Sequence, residues 1–323
     1  MANYKDIHGT NIETVTSDPS NPVEGQVWYN STDQKLRGNK LTTGGSWSTL
    51  TSLNTARDQV AGAGSTTSAL VFGENFGGET ELFNGTNWTE VNDLTTSRRA
   101  LAGAGASGTA ALAFGGNLAS PSPNAAADET ETWNGTNWTE VNDLNQARSF
   151  PGGTGTNTAA LCFGGSTGAG TNPPITDENE SWNGTSWTEV GDLNSARNAL
   201  GTGGTTTSAL AFGGSGPTAA TESWNGSAWT EVGDLNTARL AVGGAGASNT
   251  EAVAFGGPSS SALTELYNGT SWSETGDLSN GRGFMGSTKG SSTAALAMGG
   301  SDSTNVESFQ GPGANSPVDF TLS

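Results

Sequence analysis

Apolar residues in this chain come in short runs separated by Gly, Asn, Asp, Ser and Thr. Between Asn198 and Val232 the runs read NALGTGG, SALAFGG, ATESWNG and SAWTEV, each of strand length and bounded by turn residues. They predict four β-strands, designated A to D. Asn-Gly at residues 84–85, 134–135, 183–184, 225–226 and 268–269 separates C from D. That pair tolerates positive φ at both residues, so C and D are expected to form a tight antiparallel hairpin.

The pattern repeats. Aligning on DLNSAR, at Asp192 to Arg197, places arginines at Arg57, Arg98, Arg148, Arg197, Arg239 and Arg282, with spacings of 41, 50, 49, 42 and 43 residues. This period is that of four-stranded propeller blades. Strand A is rich in Gly and Ala, as expected where innermost strands crowd a central axis. Strand B carries Phe72, Phe114, Phe163, Phe212, Phe255 or Met298 before a glycine pair or a single Gly, strand C an aromatic two residues after a Glu, and strand D a Trp: Trp88, Trp138, Trp187, Trp229 and Trp272.

A, B and C occur six times after Ser52 but D only five times, and an unpartnered SWSTL containing Trp47 precedes the first repeat. The expected fold is therefore all-β: a six-bladed β-propeller of four-stranded antiparallel blades over residues 46–311, its ring closed by this N-terminal strand. Residues 1–45 are read as an attachment segment with a hairpin turning at Ser31-Thr32-Asp33-Gln34, and residues 312–323 as a C-terminal tail.

Composition supports the all-β reading: 49 Gly and only 32% hydrophobic residues, with ten Trp and eleven Phe mostly held at fixed phases of the repeat. Charge limits the partners. The net −19 opposes nucleic acid and anionic lipid surfaces, and no apolar run approaches the ~20 residues that span a bilayer. Met1-Ala2-Asn3-Tyr4-Lys5-Asp6 lacks the apolar stretch of a secretion signal, so synthesis and folding in a cytoplasm are expected. Cys162 stands where other repeats carry Ala or Val and reads as a small buried hydrophobe.

The repeat arginine, the glycines ending strand B, the aromatic after Glu in strand C and the Trp of strand D together resemble the kelch motif, over about residues 46–311. The short C–D turn departs from the longer linker of kelch proteins. Separately, NPVEGQVWYNSTDQKLRG, at Asn21 to Gly38, looks like a short motif of bacteriophage tail and virion proteins that precedes kelch-like repeats. That resemblance implies a virion protein whose residues 1–45, with Trp28, Tyr29 and Asn30 at the centre of the motif, meet other virion proteins.

Candidate chemistry is sparse. Copper-bearing propellers similar to galactose oxidase need His and Tyr ligands, but His8 is the only His and lies outside the repeats, as do Tyr4 and Tyr29. The same count disfavours a Ser-His nucleophile. Over residues 46–311 there are 25 acids and 8 bases, a net of −17. Most acids recur blade by blade, which points to structure. Glu81, Glu131, Glu180, Glu222, Glu265 and Glu307 are expected to pair with the repeat arginines. A Ca²⁺ site of carboxylates stays open, although no Asp-x-Asp-x-Asp loop occurs. No catalytic residue, metal or cofactor is assigned.

What breaks the repeat is the B–C loop, lengthened in the second and third copies. These loops are expected on the face that carries the D–A turns, as a binding ridge of Asn117, Leu118, Ser120, Pro121 and Pro123 with Thr171, Asn172, Pro173, Pro174 and Ile175. The expected function is a phage virion structural protein displaying the propeller for host-surface attachment or for decoration of capsid or tail, with a host surface glycan or protein as partner. The alternative is a cytoplasmic kelch-type protein-interaction module.

Overall fold

The computed structural model of the chain describes residues 12–19, 26–41, 44–74, 77–119, 125–168, 173–258, 260–312 and 315–319. It divides into two compact units, residues 46–310 and residues 1–45 together with 311–323. No helix occurs among the described residues.

The larger unit holds six four-stranded antiparallel sheets. Five follow the chain in the order A, B, C, D, as in Gly201–Thr205, Ser208–Phe212, Thr221–Trp224 and Trp229–Glu231. The last takes Gly286–Ser287, Ala294–Met298 and Val306–Gln310 from the end of the unit and its fourth strand, Ser46–Thr49, from the beginning. Trp47 pairs with Phe309 and Ser48 with Ser308.

Successive sheets pack through one repeated contact. The strand B aromatic meets the strand D Trp of the next sheet edge-to-face, at 4.8–4.9 Å between ring centroids, for Phe72–Trp138, Phe114–Trp187, Phe163–Trp229 and Phe212–Trp272. Trp47 occupies the same place on Phe255 at 4.8 Å. Met298 and Leu296 of the last sheet share a core with Val71 and Trp88 of the first. The strand D indoles also reach back one sheet: Trp138 donates to Thr80, Trp187 to Thr130, Trp272 to Thr221 and Trp47 to Thr264, at 3.0–3.1 Å. Where strand C begins with Asn179 or is preceded by no such Thr, at Val306, the indoles of Trp229 and Trp88 find no acceptor among the described residues.

Every repeat arginine forms a buried ion pair with the strand C Glu of its own repeat: Arg57–Glu81, Arg98–Glu131, Arg148–Glu180, Arg197–Glu222, Arg239–Glu265 and Arg282–Glu307, at 2.6–3.1 Å. The carboxylate is further satisfied by backbone amides of the D–A turn, such as Asn194 N to Glu222 Oε2 at 2.7 Å. The guanidinium in turn donates to carbonyls at the base of the B–C loop, as from Arg197 to Ala220 O at 2.7 Å. A buried pair of this kind is tolerated because nearly every polar atom has a partner, and it fixes the root of each B–C loop.

The C–D turn differs from expectation. Gly85, Gly135, Gly184, Gly226 and Gly269 take φ of 92–94°, but the Asn before each does not take positive φ. Its side chain acts instead: Asn84 Oδ1 accepts from Thr86 N and Asn87 N at 2.9 Å, an Asx turn repeated in all five copies.

The smaller unit is a seventh four-stranded sheet rather than a hairpin with a free tail. Val27–Asn30 and Lys35–Leu41 form the expected hairpin around residues 31–34. Glu13–Val15 adds to it in parallel, and Asn315–Asp319, read above as part of a tail, pairs antiparallel with Lys35–Leu41. Pro317 hid this strand, since proline argues against a strand interior; at a sheet edge it is tolerated.

Candidate functional site

The D–A turns carry a feature that side-chain patterns conceal. Two residues after each repeat arginine the backbone turns left-handed: Gln59, Ala100, Phe150, Ala199, Ala241 and Phe284 have φ of 51–55°. None is Gly, so each position is strained by about 1–3 kcal/mol, and such strain clusters at functional sites. The conformation aims each amide at the preceding repeat. Ala100 N donates to Gln59 O, Phe150 N to Ala100 O, Ala199 N to Phe150 O, Ala241 N to Ala199 O and Phe284 N to Ala241 O, at 2.7–3.2 Å. A chain of peptide hydrogen bonds thus crosses all six repeats.

These residues rim a cavity of about 90 Å³ between the inner strands. Phe150 and Phe284, three repeats apart, meet with ring centroids 5.6 Å apart. Below the rim, Val60, Leu101, Leu200, Val242 and Met285 contribute apolar wall, and the backbones of Gly62, Gly103, Gly153 and Gly244 line the space between strands. Side chains do not fit at two of these glycines: a Cβ on Gly103 would lie 2.8 Å from Gly62 O, and one on Gly244 2.6 Å from Thr202 O.

Lys289 also lines the cavity. Seven residues after its repeat arginine, it stands where the other repeats carry Gly64, Gly105, Gly155, Gly204 and Gly246, the first four at φ of 100–154°. Lysine does not take that conformation here. The inner strand of the last repeat pairs only over Gly286–Met298 and Ser287–Ala297, against four or five pairs elsewhere. Thr288 Oγ1 then accepts from Leu296 N at 3.0 Å, replacing a main-chain bond. The Lys289 ammonium lies 3.5 Å from Thr202 Oγ1, which donates to Gly153 O at 2.8 Å. Burial pulls its pKa down to about 8.

The predicted ridge lies only partly within the described residues: Ser120, Pro121, Pro123, Thr171 and Asn172 fall outside them. Asn117–Leu118 pairs with Arg98–Arg99 of the D–A turn, which places this loop on the rim face. Ser166 bridges Ser149 and Ile175 in the third repeat. Asn117 is buried and Leu118 half-buried, whereas Pro174 and Ile175 are exposed, Ile175 by 45%. Among the described residues no hydrogen bond joins one long loop to the other.

In the smaller unit, Trp28 and Asn30 point inward and Tyr29 is half-buried. Trp28 Nε1 and Asn30 Nδ2 both donate to Asp18 at 2.9 Å, and Arg37 pairs with the same carboxylate. The Arg37 hydrogen bond, aided by Asn30 and Trp28, holds Asp18 well below the usual carboxylate range. Trp28 and Asn30, expected at the centre of the attachment motif, are internal supports of this sheet.

No group of three or more His, Cys, Asp or Glu is placed to hold a metal ion among the described residues. Burial pushes the Cys162 thiol up to about 12, as befits a packing residue. Among the described residues no helix is long and apolar enough to cross a membrane.

No family model and no curated protein matches the chain. Among solved structures it is similar to that of YjhT, with a TM-score of 0.66 over 84% of this chain and 97% of that one, at 14% identity. The fold is a β-propeller. At this identity the likeness carries the architecture alone.

Proposed function

We propose that this chain is a non-catalytic display module of a phage virion. Residues 46–310 form a closed six-bladed, kelch-like ring, the seventh sheet mounts it on other virion proteins, and the rim face meets the host surface or a neighbouring virion component. The observation that carries this reading is the distribution of regularity. Copies of the Arg–Glu pair and of the Phe–Trp or Met–Trp contact serve the fold in every repeat, while the two lengthened B–C loops and exposed Ile175 depart from it on one face. Variable loops on a rigid scaffold are where recognition concentrates. The resemblance of Asn21 to Gly38 to phage tail and virion proteins supports the mount and the virion location.

The test is immunogold labelling of purified particles with antibody to the propeller, combined with adsorption assays on a variant lacking residues 118–127. Label on particles and reduced adsorption are expected. Particles that never carry label would remove the virion reading; labelled particles that adsorb normally would remove the role of the loop. Exposed Pro174 and Ile175 favour a protein partner in the alternative, cytoplasmic reading, and pull-downs from uninfected cells would distinguish it.

A further inference from the structure

The cavity behind the rim holds a charge that the fold does not use. Lys289 is the one base of residues 46–310, apart from the repeat arginines and Arg99, and it forms no ion pair among the described residues. The last repeat, in which a lysine replaces the glycine of the other five, has two A–B pairs against four or five elsewhere. A second departure faces it: Thr202 stands where other repeats carry Gly62, Gly103, Gly153, Gly244 and Ser287. The two substitutions, from different blades, meet inside one cavity.

We propose that this cavity binds a small aliphatic monocarboxylate. The Lys289 ammonium, positioned by Thr202, takes the carboxylate, and the alkyl end lies against the apolar wall below Phe150 and Phe284. A charge-assisted hydrogen bond in a low-dielectric cavity is strong. One cation favours one negative charge, since a dianion would remain half-uncompensated inside a net-negative unit. A volume of about 90 Å³ admits several waters or a small organic ion, and no larger one.

The pH response follows from the groups around the amine. The six inner strands and their strand B partners carry two further titratable groups, Cys162 and Glu251. Glu251 is held by Ser292 Oγ at 2.8 Å and Ala247 N at 3.1 Å. Asp58 and Arg99 flank the rim in sequence, beside Gln59 and Ala100. With its pKa near 8, Lys289 is charged in neutral solution and loses its proton in mild alkali unless an anion holds it.

The test is titration calorimetry of the full chain with sodium propionate, propionamide and sodium sulfate. Saturable binding of propionate is expected, with no measurable binding of propionamide and weaker binding of sulfate. Lys289→Met should weaken propionate binding at least tenfold. Lys289→Gly, which restores the residue of the other repeats and so protects folding, should do the same. Above pH 8 the wild-type affinity should fall, and at pH 8.5 binding should take up protons, read from buffers of different ionisation enthalpy. Equal binding by wild type and a folded variant, no saturable binding by folded wild type, or tighter binding of sulfate would each overturn the proposal. None of these outcomes depends on whether the chain belongs to a virion.

Discussion

The inner strand of the last repeat and those of the other five occupy equivalent places yet differ in one residue of consequence. In the five, a glycine stands seven positions after the arginine and the strand makes four or five pairs to strand B, with an irregularity at that glycine in the second and fifth repeats. In the sixth, the ladder ends after Ser287 and Lys289 puts an amine into the cavity. Both versions are anchored by the same buried ion pair, Arg197–Glu222 in one and Arg282–Glu307 in the other. A repeat protein can therefore hold its scaffold constant through one set of positions and concentrate its chemistry in another.

The largest expected effect would break what the repeats share. Arg197→Ala leaves Glu222 buried without its cation, which costs about 3–5 kcal/mol. At roughly 2–4 °C per kcal/mol for a body of this size, a fall of about 10 °C in Tm is expected by calorimetry. An unchanged Tm would deny the pair its structural role.

Next in size is Trp47. If Ser46–Thr49 stands in for the missing strand D, Trp47→Ala should destabilise about as much as Trp272→Ala, by about 3 kcal/mol. Both residues pack on a strand B Phe and donate to a Thr of the preceding sheet. A Trp47 variant as stable as wild type would set the last sheet apart from the rest.

A smaller effect sharpens the contrast at Lys289 itself. Its folded pKa of about 8 lies below the ordinary 10.5, so between these values the unfolded chain binds more protons than the folded one. Stability contributed by this group therefore rises with pH across that window. The Tm difference between wild type and Lys289→Gly should shift in favour of wild type from pH 7 to pH 10; a pH-independent difference would contradict the lowered pKa of the amine. The smallest effect concerns Trp88, whose indole lacks an acceptor. Val306→Thr supplies the hydroxyl found at Thr80, Thr130, Thr221 and Thr264 and should add about 0.5–1.5 kcal/mol, read as a rise in denaturant midpoint.

Much of this is legible in the sequence. The arginine period, the aromatic phases and the orphan Trp47 segment located the sheets and their packing, because burial of large side chains leaves a fixed spacing in sequence. The Arg–Glu pairing followed from charges copied into every repeat. The rim was not legible: Gln59, Ala100, Phe150, Ala199, Ala241 and Phe284 share a backbone angle and no side-chain chemistry. Lys289 is legible in principle, since one lysine among five glycines at one phase is a signal. The strand at Asn315–Asp319 was hidden by Pro317, and buried Trp28 and Asn30 by their place in a motif read as surface.

A ring closed as proposed requires the first strand of the larger unit to lie beside the last. Ser48 and Ser308 are paired across that junction, and cross-strand Cα separations of about 4.5–5.5 Å suit a disulfide. Ser48→Cys combined with Ser308→Cys should therefore oxidise to a single intramolecular crosslink, seen as faster migration without reductant and loss of two titratable thiols. Cys162, buried with its thiol pushed up to about 12, does not compete. Two thiols that stay free in the folded protein, or that crosslink only between chains, would contradict the proposed ring closure.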